Sequence, residues 1–397
     1  METTARARRA VAIAFAIQGL TFASLLTRLP AMKDKFDLSD VDILLLVLAV
    51  AGASAVGSAV AGQAATRWGS AWTLRLSLVG ASLAVALPGV AGNFGALVAL
   101  TSVYGLCVGA VDASMNMQGV AVQDAYGRSI MTSFHAVWSL GAALGAGYAA
   151  LTAELDWSLG LSLIVITGFG LAVNLIACGG MLSVEADPLE TPTAAGRLAP
   201  VPFWPVLLIA LPTFAMWLND GAVSTWSGIY MEDGLKASAT AAPAAYGAYQ
   251  VCLFLVRVVG DRFVQGYGAP AVVRIGGWVA TAGGLLVVVA PGVWLVVLGF
   301  ALLGLGLSLV PPLAMVAAAH AAPGAGDRAV ARVNVSNYAG FIVAAVAIAA
   351  ISELVSARAM FVLPAIVLPY LALAARRFAA QPAALPVTGS ETPAIKE

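Results

Sequence analysis

Runs of about twenty apolar residues follow one another along most of this chain, each long enough to cross a bilayer as a helix. Inside lipid, every backbone N–H and C=O must be satisfied within its own segment, so such runs are read as helices. Punctuation by charges, Pro and Gly divides them into twelve predicted spans, at roughly 10–30, 42–63, 71–90, 94–121, 131–152, 158–182, 201–230, 241–262, 269–290, 292–318, 329–350 and 358–377. The longest polar interior stretch contains Asp187-Pro188, Thr191-Pro192 and Gly196-Arg197. The expected organisation is therefore an all-α membrane protein of two six-helix halves. These comprise residues 1–182 and 201–377, with a cytoplasmic linker at 183–200 and a cytoplasmic tail at 378–397.

Composition agrees. Apolar residues make up 61% of the chain and charged residues 10%, against about 25% charged in soluble domains. The formal net charge is zero, and no aromatic-basic motif argues for nucleic acid. Cys107, Cys178 and Cys252 lie in apolar runs and read as small core residues. No cleavable signal peptide is expected, because the first apolar stretch is span-length and lacks a clear small-x-small site. No Gly-x-x-x-x-Gly-Lys-Ser/Thr element argues for nucleotide drive, and Gly304-x-Gly306 follows no strand. His135 and His320 are far apart in sequence, and no metal or nucleophile constellation surrounds them. The expectation is no enzyme, no cofactor and no metal.

The charges orient the spans. With both termini cytoplasmic, the inner side takes 15 of the 20 basic residues. They are Arg6, Arg8, Arg9, Arg67, Arg75, Arg128, Arg197, Arg257, Arg262, Arg274, Arg328, Arg332, Arg376, Arg377 and Lys396. Arg28, Lys33, Lys35, Lys236 and Arg358 stay outside. The positive-inside rule favours this topology.

Two lone carboxylates interrupt the apolar runs. Asp112 lies within Gly105-x-x-x-Gly109-x-x-Asp112-x-x-x-Asn116, a spacing that keeps all four on one helical face. Small residues admit a neighbouring helix, and the polar pair needs a polar interior. Asp220 follows Asn219 in another run. A charge near the bilayer centre costs roughly 3 kcal/mol or more, which points to transport. A structural acid bonded to neighbouring helices is the alternative for Asp112. For Asp220 it is the capping of amides freed by a helix broken at Asn219 and Gly221.

The loop Gly62-Gln-Ala-Ala65-Thr66-Arg67-Trp-Gly69 recurs as Arg257-Val-Val-Gly260-Asp261-Arg262 with Gly266 and Gly268, Arg67 and Arg262 standing 195 residues apart. Both copies resemble the loop signature of the major facilitator superfamily, Gly-x-Leu-Ala-Asp-Arg-x-Gly-Arg. The first has Thr66 in place of the acid; the second has Arg257 where the Gly would stand. Three further runs resemble the YbjJ-like branch of bacterial inner-membrane facilitators, itself distantly similar to fucose permease. They are Asp112-Ala-Ser-Met-Asn116-Met-Gln118-Gly119, Ser133-Phe-His135-Ala-Val-Trp138-Ser139 and Asp220-Gly-Ala-Val-Ser-Thr-Trp226-Ser227. The first-span carboxylate of a fucose-permease-like site has no counterpart; Gln18 is the nearest polar residue.

The resemblance implies that spans 1, 2, 4, 5, 7, 8, 10 and 11 line a cavity while 3, 6, 9 and 12 face lipid. The polar side chains distribute in that way, since Asn174 is the one strong polar residue in span 6 and spans 3, 9 and 12 have none away from their ends. Candidates for proton coupling are Asp112, Asp220 and His135, the last placed near the cytoplasmic end of span 5. Candidates for the substrate cavity are Gln18, Asn116, Gln118, Trp138, Trp217, Asn219, Tyr249, Gln250, Asn334, Asn337 and Tyr338. Arg67, Gly69, Asp261 and Arg262 are expected to form a cytoplasmic gate, where a carboxylate can cap a helix N-terminus and pair with Arg. Gly141-x-x-x-Gly145 reads as a packing motif, and Pro311-Pro312 as a bend that frees carbonyls.

The functional expectation is a secondary transporter in a bacterial cytoplasmic membrane. It works as a monomer, moving a small organic solute by alternating access with protons as partner. Proton-antiport efflux of a drug or secondary metabolite is the runner-up, and a non-transporting sensor on the same fold comes third.

Overall fold

Each apolar run folds as a helix, and in the computed structural model, which describes residues 2–182, 199–238, 241–355 and 357–379, the helices follow the chain closely. They are α1 (Glu2–Leu26), α2 (Leu29–Phe36), α3 (Asp40–Ala84), α4 (Phe94–Tyr126), α5 (Met131–Glu154), α6 (Leu159–Ala177), α7 (Phe203–Ile229), α8 (Pro243–Tyr267), α9 (Ala269–Val289), α10 (Val293–Leu307), α11 (Val310–His320), α12 (Gly326–Leu354), α13 (Val362–Val367) and α14 (Pro369–Ala374). No strand occurs among the described residues. Among the described residues, eleven segments are long and apolar enough to cross a bilayer, and one of them, Val41–Val90, is 50 residues long. That length holds two crossings, so the expected twelve-helix architecture is met. The second and third spans meet at Gly69, whose φ of 74° and ψ of 155° are not helical. Most of the proposed linker, residues 183–198, and the tail from 380 onward lie outside the described residues.

Glycines set the helix spacing within each half. A Cβ at Gly105 or Gly109 would sit 2.6 Å from Val50 O or 1.8 Å from Ser54 O, so α4 lies backbone to backbone on α3. Gly141 and Gly145 hold α5 against Ala16 O and Leu20 O of α1 in the same way. The second half repeats both contacts, Gly304 meeting Tyr249 O of α8 and Gly340 meeting Phe214 O of α7. Such close approach recovers dispersion energy where lipid supplies no hydrophobic drive. Asn174 Nδ2 donates to Ser82 Oγ at 2.8 Å, so the polar residue of the sixth span is satisfied against the third.

Two local expectations are corrected and one is met. α7 runs unbroken through Asn219 and Gly221, so Asp220 caps no freed amides there. The tenth span does break: α10 ends at Leu307 and α11 starts at Val310, because Pro311 and Pro312 donate no N–H to Leu307 and Ser308. Arg257, assigned to the inner loops by its sequence position, lies inside α8 and is 6% exposed.

Candidate functional site

One cavity of about 330 Å³ runs between the halves. Its lining comes from the first, second, fourth, fifth, seventh, eighth, tenth and eleventh spans. Leu25, Leu29, Met32, Val47 and Val50 form an apolar wall on one side, while Met216, Trp217 and Phe341 continue it on the other. The deeper lining is polar and includes Asp112, Asn116, His135, Asp220, Arg257, Asn334, Asn337 and Tyr338.

The polar groups tie the halves together. The Tyr338 hydroxyl, on α12, donates to Asp112 Oδ2 on α4. Asp220 accepts from the hydroxyl of Tyr249 at 2.8 Å, a bond within the second half. Arg257 donates from Nη1 to Ser139 Oγ of α5 at 2.8 Å and from Nε to Ser308 O at 3.4 Å. The latter is a carbonyl freed by Pro312 four residues on. Asn337 Nδ2 donates to Asn334 Oδ1 at 3.0 Å, and Asn334 Nδ2 donates to Ser58 Oγ of α3 at 3.1 Å. His135 Nε2 lies 3.2 Å from Asn116 Oδ1, and its ring is 5.3 Å from that of Phe15. Trp138 Nε1 donates to Gln18 Oε1.

Several predicted cavity residues stand elsewhere. Gln118 is fully buried and donates to Ser70 Oγ at 2.9 Å, fastening α4 to the third span. Asn219 donates to Ala215 O at 2.9 Å and Pro364 O at 3.1 Å, fastening α7 to α13. Tyr249 is buried behind the lining and reaches it through its hydroxyl on Asp220. His135 lines the cavity itself and so is not an interfacial residue. Gln250 also lines the cavity and donates to Tyr246 Oη at 2.8 Å. Arg257 was missed as a cavity residue. Its signal was the eleven-residue spacing from Tyr246, which with Gln250 and Leu253 between puts four lining residues on one face of α8.

Below the cavity, the face that carries Arg128, Arg262 and Arg328 is held shut. Asp261 of α8 caps the N-terminus of α5, accepting from Thr132 N at 3.0 Å, Ser133 N at 2.9 Å and Ser129 Oγ at 3.1 Å. A carboxylate there satisfies orphan amides and meets the positive end of the helix dipole. Gln265 Nε2 donates to Ser129 O at 2.8 Å. His320 Nε2 lies 3.1 Å from Asp124 Oδ1, joining α11 to α4. Arg67 and Arg262 are exposed, and the Asp261 carboxylate is taken up by amides and a hydroxyl, with no bond to an arginine among the described residues.

The repeat also has a different register from the one read off Arg67 and Arg262. Gly69 and Gly268 share one conformation, φ 74° and ψ 155° against φ 77° and ψ 151°. Aligning these two places Asp261 opposite Gly62, not Thr66, and Gly62 sits tight against Ala331 of α12. Thr66 spends its hydroxyl locally, on Gln63 O at 2.7 Å. Two half-bundles closed on one face, with a polar cavity between them, define the class: a helical membrane carrier.

Comparison with known proteins agrees. The family model of the Major Facilitator Superfamily matches residues 209–396. An MFS-type transporter of Yersinia pestis is 30% identical over 92% of this chain and 94% of its own length. A transporter of Sinorhizobium fredii, y4wD, is 27% identical over 89% of this chain and 93% of its own. Among solved structures, the transporter FucP in the outward conformation superposes with a TM-score of 0.76 at 14% identity, covering 94% of this chain and 98% of that one. The human organic anion transporter MFSD10 gives 0.75 at 15% identity, covering 94% and 99%. At those identities the likeness is one of fold alone. The chain belongs to the major facilitator superfamily; it is a multi-pass membrane transporter and not an enzyme.

Proposed function

We propose that this protein is a secondary active transporter of a small organic solute, working by alternating access and coupled to protons through Asp112 and Asp220. The observation that carries the reading is the hydrogen bond from Tyr338 to Asp112, which joins the two halves at the cavity wall. An ionised carboxylate accepts that bond with charge assistance, and a protonated one accepts it more weakly. Protonation of Asp112 therefore loosens the halves at the depth where the solute sits. Asp220, on the half opposite Asp112, is the second proton carrier, held by Tyr249 of its own half. The cavity is of the size that takes metabolite-scale ligands, at the lower end of the usual 300–1,000 Å³ or so.

The charge split assigns the closed, arginine-bearing face to the cytoplasm of a bacterial cell and both termini with it. In that orientation the structure is an outward-facing state, sealed inside by Asp261 on α5. Loading from outside, loss of the Asp261 cap and rocking of one half against the other would deliver the solute inward. The transporter acts as a monomer on this reading, because the cavity is complete within one chain.

The test is a solute screen in proteoliposomes with and without an imposed pH gradient, on the wild type and Asp112→Asn. The amide mimics the protonated acid. Asp112→Asn is expected to lose gradient-driven accumulation while keeping solute exchange. Gradient dependence unaltered in a well-inserted Asp112→Asn protein would remove Asp112 from the mechanism.

A further inference from the structure

Among the described residues, Arg257 is the one Lys or Arg in the cavity lining, and no carboxylate neutralises it at contact distance. Among the described residues no carboxylate lies within 4.0 Å of it, and its hydrogen bonds go to a hydroxyl and a carbonyl. It is 6% exposed, in the membrane-spanning part of α8, and what it exposes faces the cavity. A guanidinium held there without a counter-ion is costly. Its planar fork fits a carboxylate in two-point contact.

The charges around it set a condition. On α7, Asp220 lies within coulombic reach of Arg257 and is held by Tyr249. On α5, His135 also feels the guanidinium, and Ser139 bonds it. On α8 itself the titratable neighbour is Tyr249, while Asp261, one turn on, is taken up by the α5 amides; Ser308 and Pro311 of the tenth span do not titrate. While Asp220 is ionised it offsets the guanidinium at a distance and repels an arriving anion. Once Asp220 carries a proton, Arg257 is left as an uncompensated cation.

We infer that the transported solute is a small organic carboxylate with an apolar body, held by Arg257 and bound together with a proton on Asp220. This rests on the transporter reading above and adds the substrate class and the sign of coupling, which is symport. One guanidinium matches a monoanion; a phosphate dianion would call for further fixed cations, and the lining offers no second Lys or Arg among the described residues. The apolar wall of Leu25, Val47, Val50, Met216, Trp217 and Phe341 suits a hydrocarbon or aromatic body.

The test uses the purified full chain in detergent and reads thermal stabilisation by three ligands of one skeleton: 4-hydroxybenzoate, 4-hydroxybenzyl alcohol and 4-hydroxybenzylamine. A second set is hexanoate, hexan-1-ol and hexan-1-amine. The acid of at least one set is expected to stabilise the wild type, more strongly as pH falls. Arg257→Gln should weaken that acid roughly 10- to 100-fold, the range for a hydrogen-bonded charge contact. Arg257→Lys should recover part of the loss, which guards against a mere folding defect. Asp220→Asn should bind the acid with the pH dependence removed. Stabilisation by the neutral or cationic member with equal strength in wild type and Arg257→Gln would overturn the inference, as would no stabilisation by either acid. Gradient-driven uptake of a neutral solute would overturn it too while leaving the transporter reading intact.

Discussion

Tyr338 shows how much one side chain can decide. Its hydroxyl reaches Asp112 from the other half, so a single oxygen links the acid to the moving unit. Tyr338→Phe removes one hydrogen bond to a charged acceptor, worth about 1.5–3 kcal/mol, and leaves the ring's packing in place. Gradient-driven uptake in proteoliposomes should fall severalfold while equilibrium solute binding stays within a few-fold of wild type. Wild-type uptake by Tyr338→Phe would dissociate the tyrosine from coupling. The residue scale is also where sequence reading was least complete. Asp112 and Asp220 stand out because nothing charged surrounds them in the chain. Arg257 does not, because Asp261 and Arg262 follow it and the cluster looks like a loop. Gln118 and Asn219 look like cavity residues because a polar side chain in an apolar run satisfies the same pattern whether it meets water or a neighbouring helix. Only the helix rotation separates the two cases, and single-sequence periodicity leaves that rotation open by a residue or so.

At the scale of elements, the helix ends carry the proposed gate. The α5 N-terminus, with no side-chain cap of its own, borrows Asp261 from α8 across the halves. Asp261→Ala removes that cap, at a cost of about 1 kcal/mol to the closed face. Transport should slow while membrane insertion and solute binding persist. Thr66→Ala should do less, because the Thr66 hydroxyl bonds only one turn back, to Gln63 O. Equal transport defects at equal expression would show that the asymmetry has no functional weight. The packing motifs were legible in advance: Gly105-x-x-x-Gly109 and Gly141-x-x-x-Gly145 both sit where two backbones touch. So was the bend at Pro311-Pro312, since the lost donors follow from covalent structure alone. The register of the internal repeat was not. It rests on the positive φ of Gly69 and Gly268, while the more conspicuous Arg67 and Arg262 are exposed and free to drift between copies.

Over the whole molecule, twelve apolar runs determine a two-half bundle because lipid leaves helices few other ways to hide their polar groups. The halves touch along paired elements, α3 on α12 and α5 on α8, with the N-terminus of α5 meeting the C-terminal part of α8. The inter-half bonds of Asp261, Gln265, His320 and Arg257 all lie at the cavity or on its arginine-bearing side. On the alternating-access reading proposed above, that distribution is one end of a rocking motion, with the other end reached when these bonds part and the opposite face closes. Spin-label distances across both faces test this most directly. One pair joins Val41 to Lys236 on the open face; the other joins Arg67 to Tyr267 on the closed one, all four positions being exposed. As pH falls, the first distance should shorten while the second lengthens, and Asp112→Asn should make both independent of pH. Two distances that never change, or that change in the same direction, would contradict alternating access driven by protonation of this site.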